Sequence, residues 1–162
     1  MLGSFTMKTV SAEEVYPLRK SLLRQGMPDS SAVFEGDDEP YTLHAAFCLE
    51  EKIVGIASLM RRKSSHFSGI ERQYQLRGMA VMEEYRGQGV GRALLQYCEF
   101  LCLNRGVNFL WCNARLSAKD FYTKSGFETK GEVFYIAPIC DHIVMYKEVK
   151  EHKCEGCKNA GN

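Results

Sequence analysis

Three glycines between two arginines, Arg86-Gly87-Gln88-Gly89-Val90-Gly91-Arg92, carry the clearest chemistry in the chain. Glycine at these positions lets backbone N–H groups approach a ligand with no Cβ in the way. The apolar run Tyr74–Val81 reads as a strand leading into this turn. Beyond it, Val90, Ala93, Leu94, Tyr97 and Leu101 mark one face of a helix that runs to about Asn104. A helix start aims its unpaired amides and positive dipole end at the turn that precedes it. The arrangement suits phosphate or pyrophosphate. Arg86 and Arg92 add positive charge on either side.

Two common phosphate loops are excluded by the residues themselves. A P-loop ends in Gly-Lys-Ser/Thr, whereas this turn continues Gly91-Arg92-Ala93. A dinucleotide fingerprint read from Gly87 needs a glycine where Arg92 stands. The run does match Arg/Gln-x-x-Gly-x-Gly/Ala, and in this it resembles the pyrophosphate loop of the GNAT superfamily of N-acetyltransferases, which bind acetyl-coenzyme A. A second block supports the resemblance. Phe109-Leu-Trp-Cys-Asn-Ala114 is followed by Ala118-Lys-Asp-Phe-Tyr-Thr-Lys-Ser-Gly-Phe127. Its Phe121-Tyr-x-Lys-x-Gly-Phe127 segment is similar to the helix-to-strand corner that closes the cofactor site in that superfamily. Both blocks come in the expected order, and the resemblance spans residues 6–148.

The resemblance implies acetyl-CoA as co-substrate, no metal, and transfer to an amine. It places Arg86, Gly87, Gln88, Gly89, Val90, Gly91 and Arg92 around the pyrophosphate. Met79, Ala80 and Val81 would bind the pantetheine arm and the thioester oxygen through their backbone, with Asn113 on the opposing strand. Ala118 and Phe121 would stand beside the coenzyme at the closing corner. Tyr122 takes the position at which the family protonates the leaving thiolate. A phenol near pKa 10 can donate to a thiolate whose thiol is near 8.5 if it lies within hydrogen-bond reach.

The base is less evident. An alkylamine near pKa 10.4 is neutral only about once in 2,500 molecules at pH 7, so something must take its proton. Some family members place a glutamate where Gln75 stands here, and glutamine cannot serve. Glu71, His142 and His44 are the alternatives, together with a water chain ordered by Gln75. Acceptor recognition in the family falls to the first helix, the loop after it and the last strands. That region offers Arg19, Arg24 and Arg77 for a carboxylate, and Glu35-Gly-Asp-Asp-Glu39 for a cation. Arg61-Arg-Lys63 reads as a solvated turn. Asn-Ala-Arg115 departs from the commoner pattern, which has asparagine in place of Arg115. The reading from another class is a coenzyme-binding sensor without turnover; the missing glutamate speaks for it and Tyr122 against it.

The elements that would hold these residues can be read coarsely. Phe5–Val10 alternates as a strand, and Ser11-Ala-Glu-Glu14 forms a capping box that opens a helix stopped by Gly26 and Pro28. Thr42–Leu49 and Lys52–Arg61 read as a hairpin. Asn108–Asn113 is a short strand and Leu116–Ser125 a helix closed by Gly126. Val133–Ile136 and His142–Lys147 form a last antiparallel pair interrupted by Pro138. The order matches an α/β (α+β) GNAT fold, a mixed, mostly antiparallel central sheet of about seven strands with helices on both faces. Residues 1–149 are expected to be the acetyltransferase domain and 150–162 a polar, disordered tail.

Composition agrees with a single folded domain: 162 residues, 45% hydrophobic and 25% charged. A net charge of +1 gives no bulk electrostatic case for nucleic acid or a membrane surface. No apolar run approaches the roughly 20 residues of a membrane span, and the start lacks the apolar stretch of a signal peptide. The expected location is cytoplasmic. Cys48, Cys98, Cys102, Cys112 and Cys140 fall in apolar segments and read as reduced, buried thiols. Cys154 and Cys157 form one Cys-x-x-Cys pair in the tail, half of what a zinc site needs. A homodimer is implied by the family's habit of pairing through its later strands.

Overall fold

The structure is a computed structural model and describes residues 3–151. The expected tail, with Cys154 and Cys157, therefore lies almost wholly outside the described residues. Ten main elements follow in the order read from the sequence. They are β1 (Phe5–Val10), α1 (Ala12–Leu23), β2 (Leu43–Leu49), β3 (Lys52–Met60) and β4 (Tyr74–Val81). Then come α2 (Val90–Asn104), β5 (Phe109–Arg115), α3 (Lys119–Lys124), β6 (Glu128–Ile136) and β7 (Cys140–Glu148).

The capping box at α1 is formed in full. Ser11 Oγ accepts from the Glu14 N–H, and the Ser11 N–H donates to Glu14 Oε2 at 2.7 Å. The helix ends at Leu23, before the glycine and proline that mark its stop. The segment expected as one helix from Leu116 to Ser125 instead starts as a 3₁₀ turn, Leu116–Ala118, before α3. β6 begins earlier than its apolar residues suggest. Residues Glu128–Val133 are all exposed on the sheet's outer edge, and the register slips between Lys130 and Phe134 near Gly131, whose φ is +76°. An exposed, bulged edge carries no alternation for a sequence reading to find.

The seven strands form one sheet in the order β1-β2-β3-β4-β5-β7-β6. Every neighbouring pair is antiparallel except β4 and β5. α2 and α3 cover one face, where Leu94, Leu95, Cys98 and Cys102 pack with Leu76, Leu110, Cys112 and Tyr122. α1 covers the other face through Val15, against Ile56 and Ala80. On that same face Phe67 seals Phe109, Trp111 and Val144 farther along the sheet. Fully burying an aliphatic side chain such as Leu94 stabilises by about 1.5–3 kcal/mol, so the α2 stripe fixes the helix start relative to the sheet.

The parallel pair is where function becomes possible. β4 and β5 hydrogen-bond only from Tyr74–Leu76 to Leu110–Cys112, and past those residues they part. On the other side β4 carries an extra residue against β3 near Gly78, which holds φ at +59°. The bulge turns β4 away from β5 and opens the sheet at its centre.

Candidate active site

The glycine turn ends at Gly89, the N-cap of α2, with φ +85°; Gly87 has φ +75°. A Cβ at either position would meet nothing within 4 Å, so backbone conformation and not crowding calls for glycine there. Gly91 differs, since a Cβ there would come within 3.3 Å of the Phe121 ring. No side chain caps the start of α2, which leaves its first amides for a ligand.

These amides border a cleft of about 660 Å³, within the range of small-molecule sites. Met79, Ala80 and Val81 form one wall; Arg86, Gly87, Gly89, Gly91 and Arg92 form the end; Ala118, Phe121 and Tyr122 form the other wall. Arg86 Nε donates to the Val81 carbonyl at 3.0 Å, which fixes the turn to the end of β4. Two of the residues expected around the pyrophosphate stand differently. Gln88 is exposed, donates to the Glu84 carbonyl and does not line the cleft. The Val90 side chain is 1% exposed in the core, so only its backbone can serve. The cleft thus offers unpaired amides, left-handed glycines and two guanidinium groups, a donor set that fits the pyrophosphate of a coenzyme.

A second, smaller cleft of about 180 Å³ lies across the splay. Gln75, Arg77, Asn113, Arg115 and His142 line it, with Arg24 and Phe34 from α1 and the loop after it. The two clefts share Leu23, Met79, Ala118 and Tyr122. They therefore meet at the bulge. Met82 donates its N–H to Val54 on β3 at 2.9 Å, so by strand alternation the backbone groups of Val81 and Met79 face the splay. Asn113, expected to contact the coenzyme, lines the smaller cleft, one residue past the point where β5 stops pairing with β4.

Tyr122 stands at the seam. Its hydroxyl donates to Met79 Sδ at 3.7 Å, and its ring meets Phe121 and Phe127 edge-on. Burial pushes the phenol well above its usual value near 10, with Cys112 and Cys98 adding to the effect. His142 Nδ1 lies 2.8 Å from the Cys140 carbonyl. A carbonyl only accepts, so Nδ1 carries the proton in that bond and Nε2 keeps a free lone pair in the neutral ring. The Gln75 side chain makes no hydrogen bond to another described residue and lines the same cleft.

Several candidates are moved out of the site. Arg19 is fully buried and bidentate to Asp37, at 2.7 and 2.9 Å, with further bonds to the Ala32 carbonyl and Ser58. It lines neither cleft, and Asp37 is used up in holding it. The acidic stretch is therefore in part a structural clamp. His44 belongs to the same network, with Nδ1 2.7 Å from Ser58 Oγ and Nε2 3.0 Å from the Asp37 carbonyl. Glu71 is exposed and pairs with Lys63 at 2.6 Å. Arg61 and Arg62 line a separate hollow with Glu35 and Tyr41. Phe34, Ile136 and Ile139, which carry no reactive group to mark them in the sequence, wall the smaller cleft. Phe34 carries guanidinium groups of Arg19, Arg24 and Arg77 at 3.9, 5.0 and 4.5 Å from its ring centre.

Residues 9–149 match the family described as the acetyltransferase (GNAT) domain. The chain belongs to the GNAT acetyltransferase family. It is an acyltransferase, and the family's use of acetyl-CoA and an acceptor agrees with two clefts joined at one seam. Among relatives, the chain is 33% identical over 144 residues to YitI of Bacillus subtilis (strain 168), named as an uncharacterized N-acetyltransferase. That match covers 89% of this chain and 96% of YitI. Solved structures share the fold at lower identity. Escherichia coli ElaA superposes with a TM-score of 0.71 at 19% identity, covering 90% of this chain and 100% of that one. An aminoglycoside 6′-N-acetyltransferase complexed with coenzyme A superposes at 0.70 and 16% identity, covering 91% and 99%.

Proposed function

We propose that this GNAT protein is an N-acetyltransferase that moves the acetyl group of acetyl-CoA directly to a primary amine. The meeting of the two clefts at Met79 and Tyr122 carries this reading, because it lets donor and acceptor face each other without a covalent enzyme intermediate. The coenzyme supplies an acyl group activated as a thioester. In the larger cleft the amides at the start of α2, with Arg86 and Arg92, hold its pyrophosphate. Backbone groups of Met79 and Val81 that face the splay bind the pantetheine arm and the thioester oxygen. An oriented donor on that oxygen is worth about 3–4 kcal/mol of transition-state stabilisation.

The amine enters from the smaller cleft. His142 Nε2 accepts its proton, directly or through a water held by Gln75, as the carbon–nitrogen bond forms and the carbon–sulfur bond breaks. Tyr122 donates a hydrogen bond to the departing sulfur. The experiment is equilibrium binding of acetyl-CoA followed by thiol release against a panel of amines. Saturable binding with thiol release that depends on one class of amine supports the reading. Binding without release on any amine, or no binding, overturns it.

A further inference from the structure

We infer that the amine acceptor carries a carboxylate, and that Arg24, Arg77 and Arg115 hold it in the smaller cleft. This rests on the acetyl-transfer reading above and names its acceptor class. The cleft is lined by three arginines and one histidine, and by no aspartate or glutamate. All three arginines are half-buried, and among the described residues none has a carboxylate within ion-pair distance. Their contacts with the protein are few. Arg24 and Arg115 each donate to the Leu23 carbonyl, at 3.1 and 3.2 Å, and Arg77 reaches only Met60 Sδ at 3.8 Å.

Each guanidinium has five N–H donors, so most of them are unused here. Half-buried like charges without a partner are costly to keep, unless a ligand supplies the opposite sign. Burial and the neighbouring arginines lower the pKa of Arg24 and Arg77 from the usual value, the direction expected where positive charges crowd together. Phe34 presents its ring to Arg24 and Arg77 and so holds both in place. The fork geometry of a guanidinium matches a carboxylate in two parallel hydrogen bonds. Arg115 ends β5 opposite His142 on β7, which brings both residues to this cleft. Ile136 and Ile139 add an apolar wall, so the acceptor is small, with its amine toward Tyr122 and its carboxylate toward the arginines. Polycationic amines meet repulsion at the same place.

The test compares amino acids with their carboxamides, methyl esters and aminophosphonate analogues, and with spermidine and an aminoglycoside, in an acetyl-CoA thiol-release assay. The expected result is a kcat/KM for a free carboxylate roughly 10- to 100-fold above that of its amide or ester, the effect of a charge-assisted pair. Arg115→Gln raises the KM for that acceptor by a comparable factor and leaves the KM for acetyl-CoA unchanged, and Arg115→Lys restores part of the loss. Equal rates on amide, ester or polyamine overturn the inference, and so does preference for the phosphonate. Glutarate, which has no amine, is titrated in parallel with acetyl-CoA. Glutarate binding that weakens in Arg115→Gln supports the anion site even without turnover. Acetyl-CoA binding with no glutarate binding at millimolar concentration overturns it. Failure to bind acetyl-CoA overturns the transfer reading and the acceptor with it, and the glutarate titration then decides the anion site by itself.

Discussion

A phenol buried as Tyr122 is keeps its proton past pH 10, because burial pushes its pKa well above that value. Full transfer of that proton to a thiolate whose thiol is near about 8.5 runs uphill. The useful act is therefore the hydrogen bond itself, which stabilises charge as it develops on sulfur. Tyr122→Phe removes that bond and leaves the ring packing on Phe121 and Phe127, so kcat should fall about 10²-fold while the Kd for acetyl-CoA stays unchanged. Steady-state kinetics beside a binding titration checks both; an unchanged kcat would remove Tyr122 from the reaction. The sign of its pKa shift adds a second expectation. Tyr122 contributes no alkaline limb to the rate below pH 10, since the raised pKa keeps it protonated there. Residue types made Tyr122, Gln75 and His142 visible in the chain. The same signal misled at Arg19, because a sequence displays charge but not the loop that brings Asp37 back to cover it. It marked Arg115 only as a departure from a pattern, because a sequence does not show that the end of β5 lines the smaller cleft.

At the scale of elements, the turn between β4 and α2 divides its glycines into two kinds. Gly87 and Gly89 answer to backbone conformation, and Gly91 answers to the Phe121 ring 3.3 Å from where a Cβ would stand. Gly91→Val should push α3 and Phe121 off the cleft wall. Forcing extra methyl groups into such a contact costs about 1–3 kcal/mol, so the Kd for acetyl-CoA should rise roughly 5- to 100-fold. A thermal-shift titration with acetyl-CoA reads this, and an unaltered Kd would show that Phe121 is free of the coenzyme. Gly87→Ala strains φ instead and should lower stability by about 1–2 kcal/mol. Most of this architecture was legible: β4 and α2 have the bounds their apolar residues imply, since each buries side chains in the core, and β1 has its expected bounds although none of its residues is buried. β1 is the weaker case, an edge strand read from alternation alone. What stayed hidden lies where burial gives no pattern, at the exposed first half of β6 and at the 3₁₀ start of α3. The splay of β4 from β5 was not legible either, because no residue pattern announces where two strands part.

Across the whole molecule, the cysteines link packing to pH. Cys98, Cys102 and Cys112 are free and buried beneath α2, and burial pushes their thiols up, to about 12 for Cys102 and Cys112. Unfolded, the same thiols ionise near 9.0. Above that pH the native state holds protons that the unfolded state has lost, so stability is fully present below it and falls as pH rises. Each thiol contributes a slope of about 1.4 kcal/mol per pH unit, and three together about 4. Against a total of about 5–15 kcal/mol that slope is large, so stability should fall steeply once the pH passes 9.0. Tyr122 steepens the fall beyond pH 10, because its own ionisation is also suppressed by folding. Urea midpoints measured under reducing conditions at rising pH give the slope. Cys112→Ala should lower stability at neutral pH through the cavity it leaves, yet flatten the alkaline slope by about one proton. Those two effects have opposite consequences for the curve, so a variant that merely loosens the core would shift the midpoints without changing how they depend on pH. A wild-type midpoint that does not move through the alkaline window would mean these thiols reach solvent, and that the core beneath α2 is open where the packing of Leu94, Leu110 and Tyr122 has it closed.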